Sequence, residues 1–257
     1  SNCASLLIDT CVFTNNQAYL PYVNGGDCFG GALYIQNSMV QLLNSRIVSN
    51  RATTVSTSNI QNGNGGGLAM GSGTLTVSNC LFAANFISGD YLHGYARGGG
   101  LYLNGQATIL SSVIRNNEAG EPSNDTRQEG DGVHVAGGTT LLKNCLIAAN
   151  GTTNAAVSGP RNVGVFVKNG SCLIESCTIV SNVQYGIYRE AGAVGVTNSI
   201  LWNNGDEVYE TVAGNVNLGY SCIEDGDNNG SQGCVADDPR FAARTYYHLE
   251  SEFGHYA

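Results

Sequence analysis

Apolar and polar residues alternate along most of the chain in short runs, with no 3.6-residue helical period. One motif recurs: an apolar residue, any residue, a small polar residue, Cys or Ser, any residue, an apolar residue, two further residues and an Asn. Clear copies are 8–16, 77–85 and 142–150. Short segments with alternating faces predict β-strands, and the polar residues between them predict turns.

The Asn that closes each copy recurs at nearly constant spacing. These residues are Asn16, Asn50, Asn85, Asn117, Asn150, Asn182 and Asn204, with intervals of 34, 35, 32, 33, 32 and 22 residues. Intervals of this kind indicate a structural repeat in which equivalent residues stack. We therefore expect the seven side chains to form an internal hydrogen-bonded column at a turn, satisfying backbone groups that the bend leaves unpaired.

A second motif lies between successive copies, with a small residue followed by a short alternating strand, as in 66–70 and 99–103. Two or three short strands per repeat predict an all-β, single-stranded parallel β-helix of about eight coils. Neighbouring coils would pair about 4.8 Å apart. The apolar positions, such as Phe13, Phe82 and Ile147, would fill the bore.

Several copies carry a specific resemblance. Gly30-Gly31-Ala32-Leu33, Phe13-Thr14-Asn15-Asn16 and Phe82-Ala83-Ala84-Asn85 resemble the GGA(I/L/V) and FxxN repeats of the chlamydial polymorphic outer-membrane proteins, whose passenger regions are β-helical surface adhesins. Residues 8–204 are similar more broadly to right-handed β-helix repeats of bacterial surface proteins and the pectate-lyase superfamily. The tail resembles closing coils of large secreted β-helix proteins. The resemblance implies a right-handed helix, which parallel crossovers also favour, and an extracellular or cell-surface location.

Charge and hydropathy argue against two classes of partner, nucleic acid and the interior of a membrane. Only 12% of the 257 residues are charged, the net charge is −9, and no basic cluster occurs, which argues against nucleic acid as a partner. No apolar stretch is long enough to insert into a membrane. We divide the chain into repeats with insertions over 1–204 and closing coils with a polar Asp/Asn/Gly loop over 205–257. The abrupt start within repeat-like sequence suggests a portion of a longer chain.

Nine cysteines are present, an odd number. Position four of the motif alternates between Cys and Ser, as in Cys11, Ser45 and Cys80, which favours buried free thiols over disulfides there. A bond between Cys145 and Cys177 in adjacent coils is sterically conceivable. The disulfide that we expect joins Cys222 and Cys234 around a polar loop.

Five successive coils carry insertions at one corner, at 17–29, 51–64, 86–97, 118–129 and 151–161. Insertions stacked on one side form either tolerated surface loops or a binding wall. Beside that corner, the middle residue of the second strand should point outward. This row contains the predicted ligand-binding residues Tyr34, Tyr102, His134, Phe166 and Tyr188. The row suits stacking on a polysaccharide or burial under a host or neighbouring surface protein; alternatively, the insertions fold back and cover it.

An enzymatic alternative uses the third and fourth insertions. A polysaccharide lyase or glycoside hydrolase needs clustered acids and bases with an adjacent cation. The available set is His93, Arg97, Tyr102, Arg127, Asp131 and His134. The other interpretation of these residues is a solvated polar loop. The paired aspartates of polygalacturonase-like hydrolases and a pectate-lyase-like Asp and Arg set are both missing from the sequence.

No cofactor is predicted apart from a calcium ion. Asp225, Asp227 and Asn229 match the first half of a calcium-binding loop, although such strings also form ordinary turns. The leading hypothesis is a non-catalytic adhesin, glycan-binding segment or structural rod. End-to-end self-association through open first and last coils is a further possibility.

Overall fold

The computed structural model describes residues 5–20, 26–54, 61–89, 94–120, 127–152, 162–243 and 247–249, with the backbone alone for 127, 242, 243, 248 and 249. All regular elements in this part of the chain are β-strands. Four parallel sheets are built from strands of successive coils, and one antiparallel pair follows near the end. The predicted all-β parallel solenoid is therefore confirmed.

The largest sheet, sheet A, has 13 strands and receives up to two strands from each coil. Its strands are Leu6–Asp9, Leu33–Ile35, Ser38–Leu43, Leu68–Met70, Gly73–Ser78, Leu101–Leu110, Val133–Lys143, Val163–Val167, Ser171–Glu175, Tyr185–Arg189, Ala193–Thr197, Asp206–Glu210 and Val216–Gly219. Sheet B follows a sharp turn at the small polar position, where Asn79 and Asn144 have φ of 53° and 54°.

Sheet B has eight strands, stacked in chain order. They are Val12–Thr14, Arg46–Val48, Leu81–Ala83, Val113–Arg115, Leu146–Ala148, Thr178–Val180, Ile200–Trp202 and Cys222–Ile223. Their middle residues are in register, so that Phe82 lies between Ile47 and Ile114. These three side chains are fully buried in the bore, which confirms the predicted core row.

The insertions are not merely loops. In the first four coils, part of each insertion forms two further strands that pair with their equivalents in neighbouring coils. Sheet C contains Gln17–Leu20, Arg51–Thr54, Phe86–Ser88 and Glu118–Ala119, and sheet D contains Gly26–Phe29, Gln61–Asn64, Tyr95–Arg97 and Arg127–Glu129. We call sheets C and D together the side sheets. Most of the fifth insertion, 153–161, lies outside the described residues.

The side sheets have a small apolar core of their own. It is made by Cys28, Ala52, Ile87, Ala96 and Ala119 and is separate from the core in the bore. The side sheets also lie close to the start of sheet A. A Cβ atom at Gly66 would be 2.4 Å from the backbone oxygen of Gly99 and 2.6 Å from the backbone carbon of Phe86, so only glycine fits there.

The predicted asparagine column is present. Each side chain donates from Nδ2 to Oδ1 of the Asn in the next coil, at 2.8 to 3.0 Å, from Asn16 through to Asn204. Each Oδ1 also accepts the backbone N–H of the preceding member, as Asn117 does from Asn85 at 3.0 Å. The backbone N–H groups at these buried turns therefore have hydrogen-bond partners within the protein and need no water.

The Cys and Ser position forms a second, parallel ladder. Cys11 N donates to Ser45 Oγ at 3.0 Å and Cys80 N donates to Ser112 Oγ at 3.1 Å. The backbone N–H of Cys145 donates to the sulfur of Cys177, 3.4 Å away. All of these cysteines are free thiols, in agreement with a packing role.

The predicted disulfide between Cys222 and Cys234 is wrong, because both residues are free thiols. Cys222 forms an isolated parallel β-bridge with Val235, so that Cys234 is one residue away from the position opposite Cys222. Adjacent residues of an extended segment point to opposite faces. Cys234 consequently points into the bore and is 1% exposed, whereas the Cys222 thiol donates to the backbone oxygen of Asp237 at 3.1 Å.

The two ends of the solenoid differ within the described residues. At the first coil, Leu6 and Ile8 line an open cavity of about 250 Å³ at the end of the bore. At the last coil, the segment around Cys234 adds a partial rung, in which Ile223 N donates to Val235 O and Val235 N donates to Ser221 O, each at 2.9 Å. The antiparallel strands Phe241–Ala243 and His248–Leu249 follow.

Candidate functional site: the aromatic column

The aromatic row predicted beside the insertions is a stacked column. Strand register aligns Tyr102, His134, Phe166 and Tyr188 on consecutive coils. Their ring centroids are separated by 5.3, 5.0 and 5.2 Å, with interplanar angles of 14° or less. Tyr209 continues the column at 4.9 Å from Tyr188. Tyr209 could not be recognised from the repeat motif, because its strand lacks the small residue that marks the earlier copies. The local alternation of Val208-Tyr209-Glu210 was the available signal.

The side sheets bury the middle of this column. Phe166 is 0% exposed and His134 is 1% exposed. The end of sheet D covers them: Glu129 contacts the His134 ring, and a Cβ atom built on Gly130 would lie 2.8 Å from Cβ of Phe166. The assignment of His134 and Phe166 as ligand-contacting residues is therefore wrong, and the alternative in which the insertions cover the row is correct for this stretch.

The remaining members of the row are accessible to different degrees. Tyr34 is 48% exposed and stacks on Phe29, with 4.7 Å between the ring centroids. Tyr102 and Tyr188 are half-buried. Tyr209, in a coil without an insertion, is 38% exposed. The column thus passes from a covered centre to an accessible surface where the side sheets end.

Tyr185, Tyr188 and Tyr209 form a compact cluster at that surface, which we call the tyrosine platform. Tyr185 lies 5.2 Å from each of the other two ring centroids, tilted against Tyr209 and edge-on to Tyr188. Burial raises the pKa of the Tyr185 and Tyr188 hydroxyls, with nearby acidic and phenolic groups adding to the effect. These hydroxyls therefore remain protonated donors at neutral pH.

An ion-pair network borders the platform. Glu129, 4% exposed, accepts from Arg97 Nε at 3.0 Å and from Lys168 Nζ at 2.9 Å. Lys168 also pairs with Glu190 at 2.8 Å. Burial alone would lower the pKa of Lys168, but hydrogen bonds to Glu190 and Glu129 outweigh it and raise that pKa. The network ties the last described strand of sheet D to sheet A.

His134 is unsuited to acid–base chemistry on a bound substrate. Burial, reinforced by the charge of Arg97, lowers the pKa of its ring to about 3. Its Nδ1 lies 3.0 Å from the backbone oxygen of Glu129, which places the proton of the neutral ring on Nδ1. Its Nε2 is buried without a hydrogen-bond partner in the structure.

Among the described residues of the enzymatic alternative, Asp131 and Arg97 are held by other groups of the protein. Asp131 is fully buried and accepts from the backbone N–H groups of Ala119 and Val163 at 2.9 and 3.0 Å. Burial raises the pKa of Asp131 to about 7 despite these bonds. Arg97 is held by Glu129. His93 and the side chain of Arg127 lie outside the described residues. The structure therefore contradicts Asp131 and His134 as catalytic groups.

The polar loop of the predicted calcium site packs against the end of the solenoid. Asp225 accepts from the backbone N–H of Glu207 at 3.2 Å and from that of Asp227 at 3.3 Å. Burial raises the pKa of Asp227, and the charge of Asp225 adds to the effect. Within the described ranges, no three His, Cys, Asp or Glu side chains are grouped as metal ligands. Calcium binding by Asp225, Asp227 and Asn229 stays a prediction.

Comparison with known proteins gives one family. The family model described as "Right handed beta helix region" matches residues 1–159, which is more than half of the chain. The expected handedness and fold are thereby confirmed, whereas the narrower chlamydial resemblance stays a prediction. No curated protein and no solved structure matches the chain. Within the described residues, there is also no helix of the length and hydropathy that membrane crossing requires.

Proposed function

Because the chain belongs to the right-handed β-helix family, whose fold does not by itself fix a function, we propose from the geometry of its surface that it is a non-catalytic extracellular or cell-surface protein that binds polysaccharide. The binding residues are Tyr188 and Tyr209 of the tyrosine platform. The observation that carries this proposal is the emergence of the stacked aromatic column at the surface beyond the side sheets.

The platform has the features that carbohydrate binding uses. Tyr209 is the last ring of the column, with one face stacked on Tyr188, and its outer face can stack on the apolar face of a sugar ring. Both faces of Tyr188 are covered by its neighbours in the column, so that this residue contributes its ring edge and its hydroxyl, which donates to sugar oxygens. The side chains are held in place by their neighbours in the column, so little conformational entropy is lost on binding. Lys168 and Glu190 lie at the border and supply charged hydrogen-bond partners. A rod that presents such a surface is suited to adhesion.

The direct test is binding to a panel of neutral and uronate polysaccharides by affinity electrophoresis. Wild type is compared with the double variant Tyr188→Ala/Tyr209→Ala and with Tyr19→Ala, an exposed tyrosine outside the column. We expect wild type and Tyr19→Ala to bind alike and the double variant to bind at least about tenfold more weakly. Absence of binding by wild type, or equal binding by the double variant, contradicts the proposal; capture of a protein partner instead would favour the protein-binding alternative.

The lyase or hydrolase alternative is less well supported. Two of its six residues, His134 and Asp131, are buried and hydrogen-bonded to backbone groups. Incubation with uronate polymers, followed by ultraviolet absorbance of unsaturated products and a reducing-sugar assay, tests it. Activity that is lost in His134→Phe would restore the enzymatic alternative.

A second candidate function is self-association of two copies through the first coil. The bore positions Leu6 and Ile8 open there into a cavity, and Val12 is 65% exposed on the same coil. Light scattering over a concentration series tests this candidate. We expect a mass that rises toward the dimer, and that Leu6→Lys keeps the monomer mass. A constant monomer mass for wild type contradicts it.

A further inference from the structure

A cleft of about 490 Å³ lies between the outer corner of sheet B and the antiparallel strands near the end of the described chain. Its lining includes three aromatic residues, two carboxylates and one guanidinium. They are Trp202, Phe241, Tyr247, Glu224, Asp238 and Arg240. The volume falls within the range of about 300–1,000 Å³ that is usual for small-molecule sites.

The aromatic side of the cleft is built from two parts of the fold. Trp202 ends the strand Ile200–Trp202 and is half-buried next to Val180 of the preceding coil. Phe241 and Tyr247 belong to the antiparallel segment and pack edge to face, with centroids 5.6 Å apart and an interplanar angle of 83°. The site thus exists only because the chain folds back onto the last rungs of sheet B.

The polar side of the cleft is held in place by backbone groups. A carboxylate oxygen of Glu224 accepts the backbone N–H of Asn203. Oδ1 of Asp238 accepts the backbone N–H of Arg240 at 2.8 Å. Each of these exposed carboxylates is thus oriented by one backbone hydrogen bond, which reduces the side-chain freedom lost when a ligand binds.

We propose that this cleft binds the end of a neutral saccharide or an amino sugar. Trp202 supplies a flat apolar surface for the face of a sugar ring. Glu224 and Asp238 accept from sugar hydroxyls or from an ammonium group, and Arg240 donates to ring and hydroxyl oxygens. Two carboxylates against one guanidinium leave the cleft negative, which disfavours uronates. This site lies on sheet B rather than sheet A and does not depend on the tyrosine platform.

Trp202 is the only tryptophan in the chain, so its fluorescence reports directly on the cleft. Wild type is titrated with cellobiose, with chitobiose and with the disaccharide of galacturonic acid, while tryptophan emission is recorded. We expect a saturable change with at least one of the first two sugars and at least tenfold weaker binding of the uronate. Saturation-transfer NMR on the same mixtures measures binding independently of the fluorescence.

Two sets of variants separate this site from the tyrosine platform. Glu224→Gln/Asp238→Asn keeps side-chain size and should weaken cleft binding at least tenfold. Tyr188→Ala/Tyr209→Ala should leave the Trp202 titration unchanged. The inference is overturned if neither method detects cellobiose or chitobiose, if the carboxylate variant binds like wild type, or if the uronate binds as tightly as the neutral sugars. None of these outcomes bears on the platform.

Discussion

Glu207 closes the asparagine column by accepting two hydrogen bonds from Asn204 on a single oxygen, Oε1. The backbone N–H of Asn204 lies 3.1 Å away and its Nδ2 lies 3.3 Å away. In the next coil the equivalent position is Gly226, which cannot continue the column. Glu207 is 2% exposed, and burial raises its pKa to about 7 despite the hydrogen bonds from Asn204.

The first prediction concerns Glu207→Gln. Because the pKa of Glu207 is about 7 in the folded protein and 4.5 when unperturbed, the native state retains a proton that the unfolded chain releases. The protonated Glu207 carboxyl contributes its full stabilisation below pH 4.5, its unperturbed pKa, and this contribution is lost as pH rises through about 7, its pKa in the folded protein. Glutamine keeps the accepting oxygen without a charge. We expect the free energy of unfolding of the variant to match that of wild type at about pH 5 and to exceed it by about 2 kcal/mol at about pH 8.

Urea unfolding at the two pH values measures this difference. Glu175→Gln controls for the loss of one negative charge, since Glu175 pairs with Lys143 on the surface. If the free energies of unfolding of Glu207→Gln and wild type differ by the same amount at both pH values, the raised pKa of the buried Glu207 carboxyl is contradicted.

The second prediction separates packing from chemistry at His134. The ring stacks between Tyr102 and Phe166, so phenylalanine fits the same slot. We expect His134→Phe to change the free energy of unfolding by less than about 1 kcal/mol near neutral pH, and His134→Ala to cost about 3 kcal/mol because it leaves a cavity.

The pH dependence of His134→Phe adds a second readout. With a folded pKa of about 3 against 6.5 unperturbed, the unfolded chain takes up a proton that the native ring refuses. The neutral His134 ring contributes its full stability above pH 6.5, its unperturbed pKa, and this contribution is lost as pH falls toward about 3, its pKa in the folded protein. The phenylalanine variant should therefore gain on wild type on acidification. A His134→Phe protein that is as unstable as His134→Ala would show that the imidazole has a role other than stacking.

The third prediction concerns the thiols. Cys222 is partly exposed, whereas Cys234 is 1% exposed in the bore and Cys172 is 2% exposed, with burial raising its pKa to about 12. We expect iodoacetamide to alkylate Cys222 in the native protein and to spare Cys172 and Cys234, as read by peptide mass spectrometry. Reductant should leave the melting temperature unchanged. A peptide linked through Cys222 and Cys234 would contradict the structure.

The repeat could be predicted because each coil carries the same constraint. A buried turn needs a side chain that both donates and accepts, so Asn85, Asn117 and Asn150 are readable from spacing alone. Burial of Phe166 could not be read in this way, because it depends on how closely sheet D approaches sheet A, a contact between segments of irregular sequence. Glu207 was also missed, although the glycine at position 226 signalled that the column needed another end.

The aromatic column is covered at Phe166 and accessible at Tyr209, where we propose that polysaccharide binds. Hydroxyl-radical footprinting, with and without the polysaccharide that binds best, measures both parts in one experiment. We predict oxidation of Tyr188 and Tyr209 in the free protein, protection of both on binding, and no modification of Phe166 in either state. Oxidation of Phe166 at the rate of Tyr209, or unchanged oxidation of Tyr209 with polysaccharide bound, would contradict it.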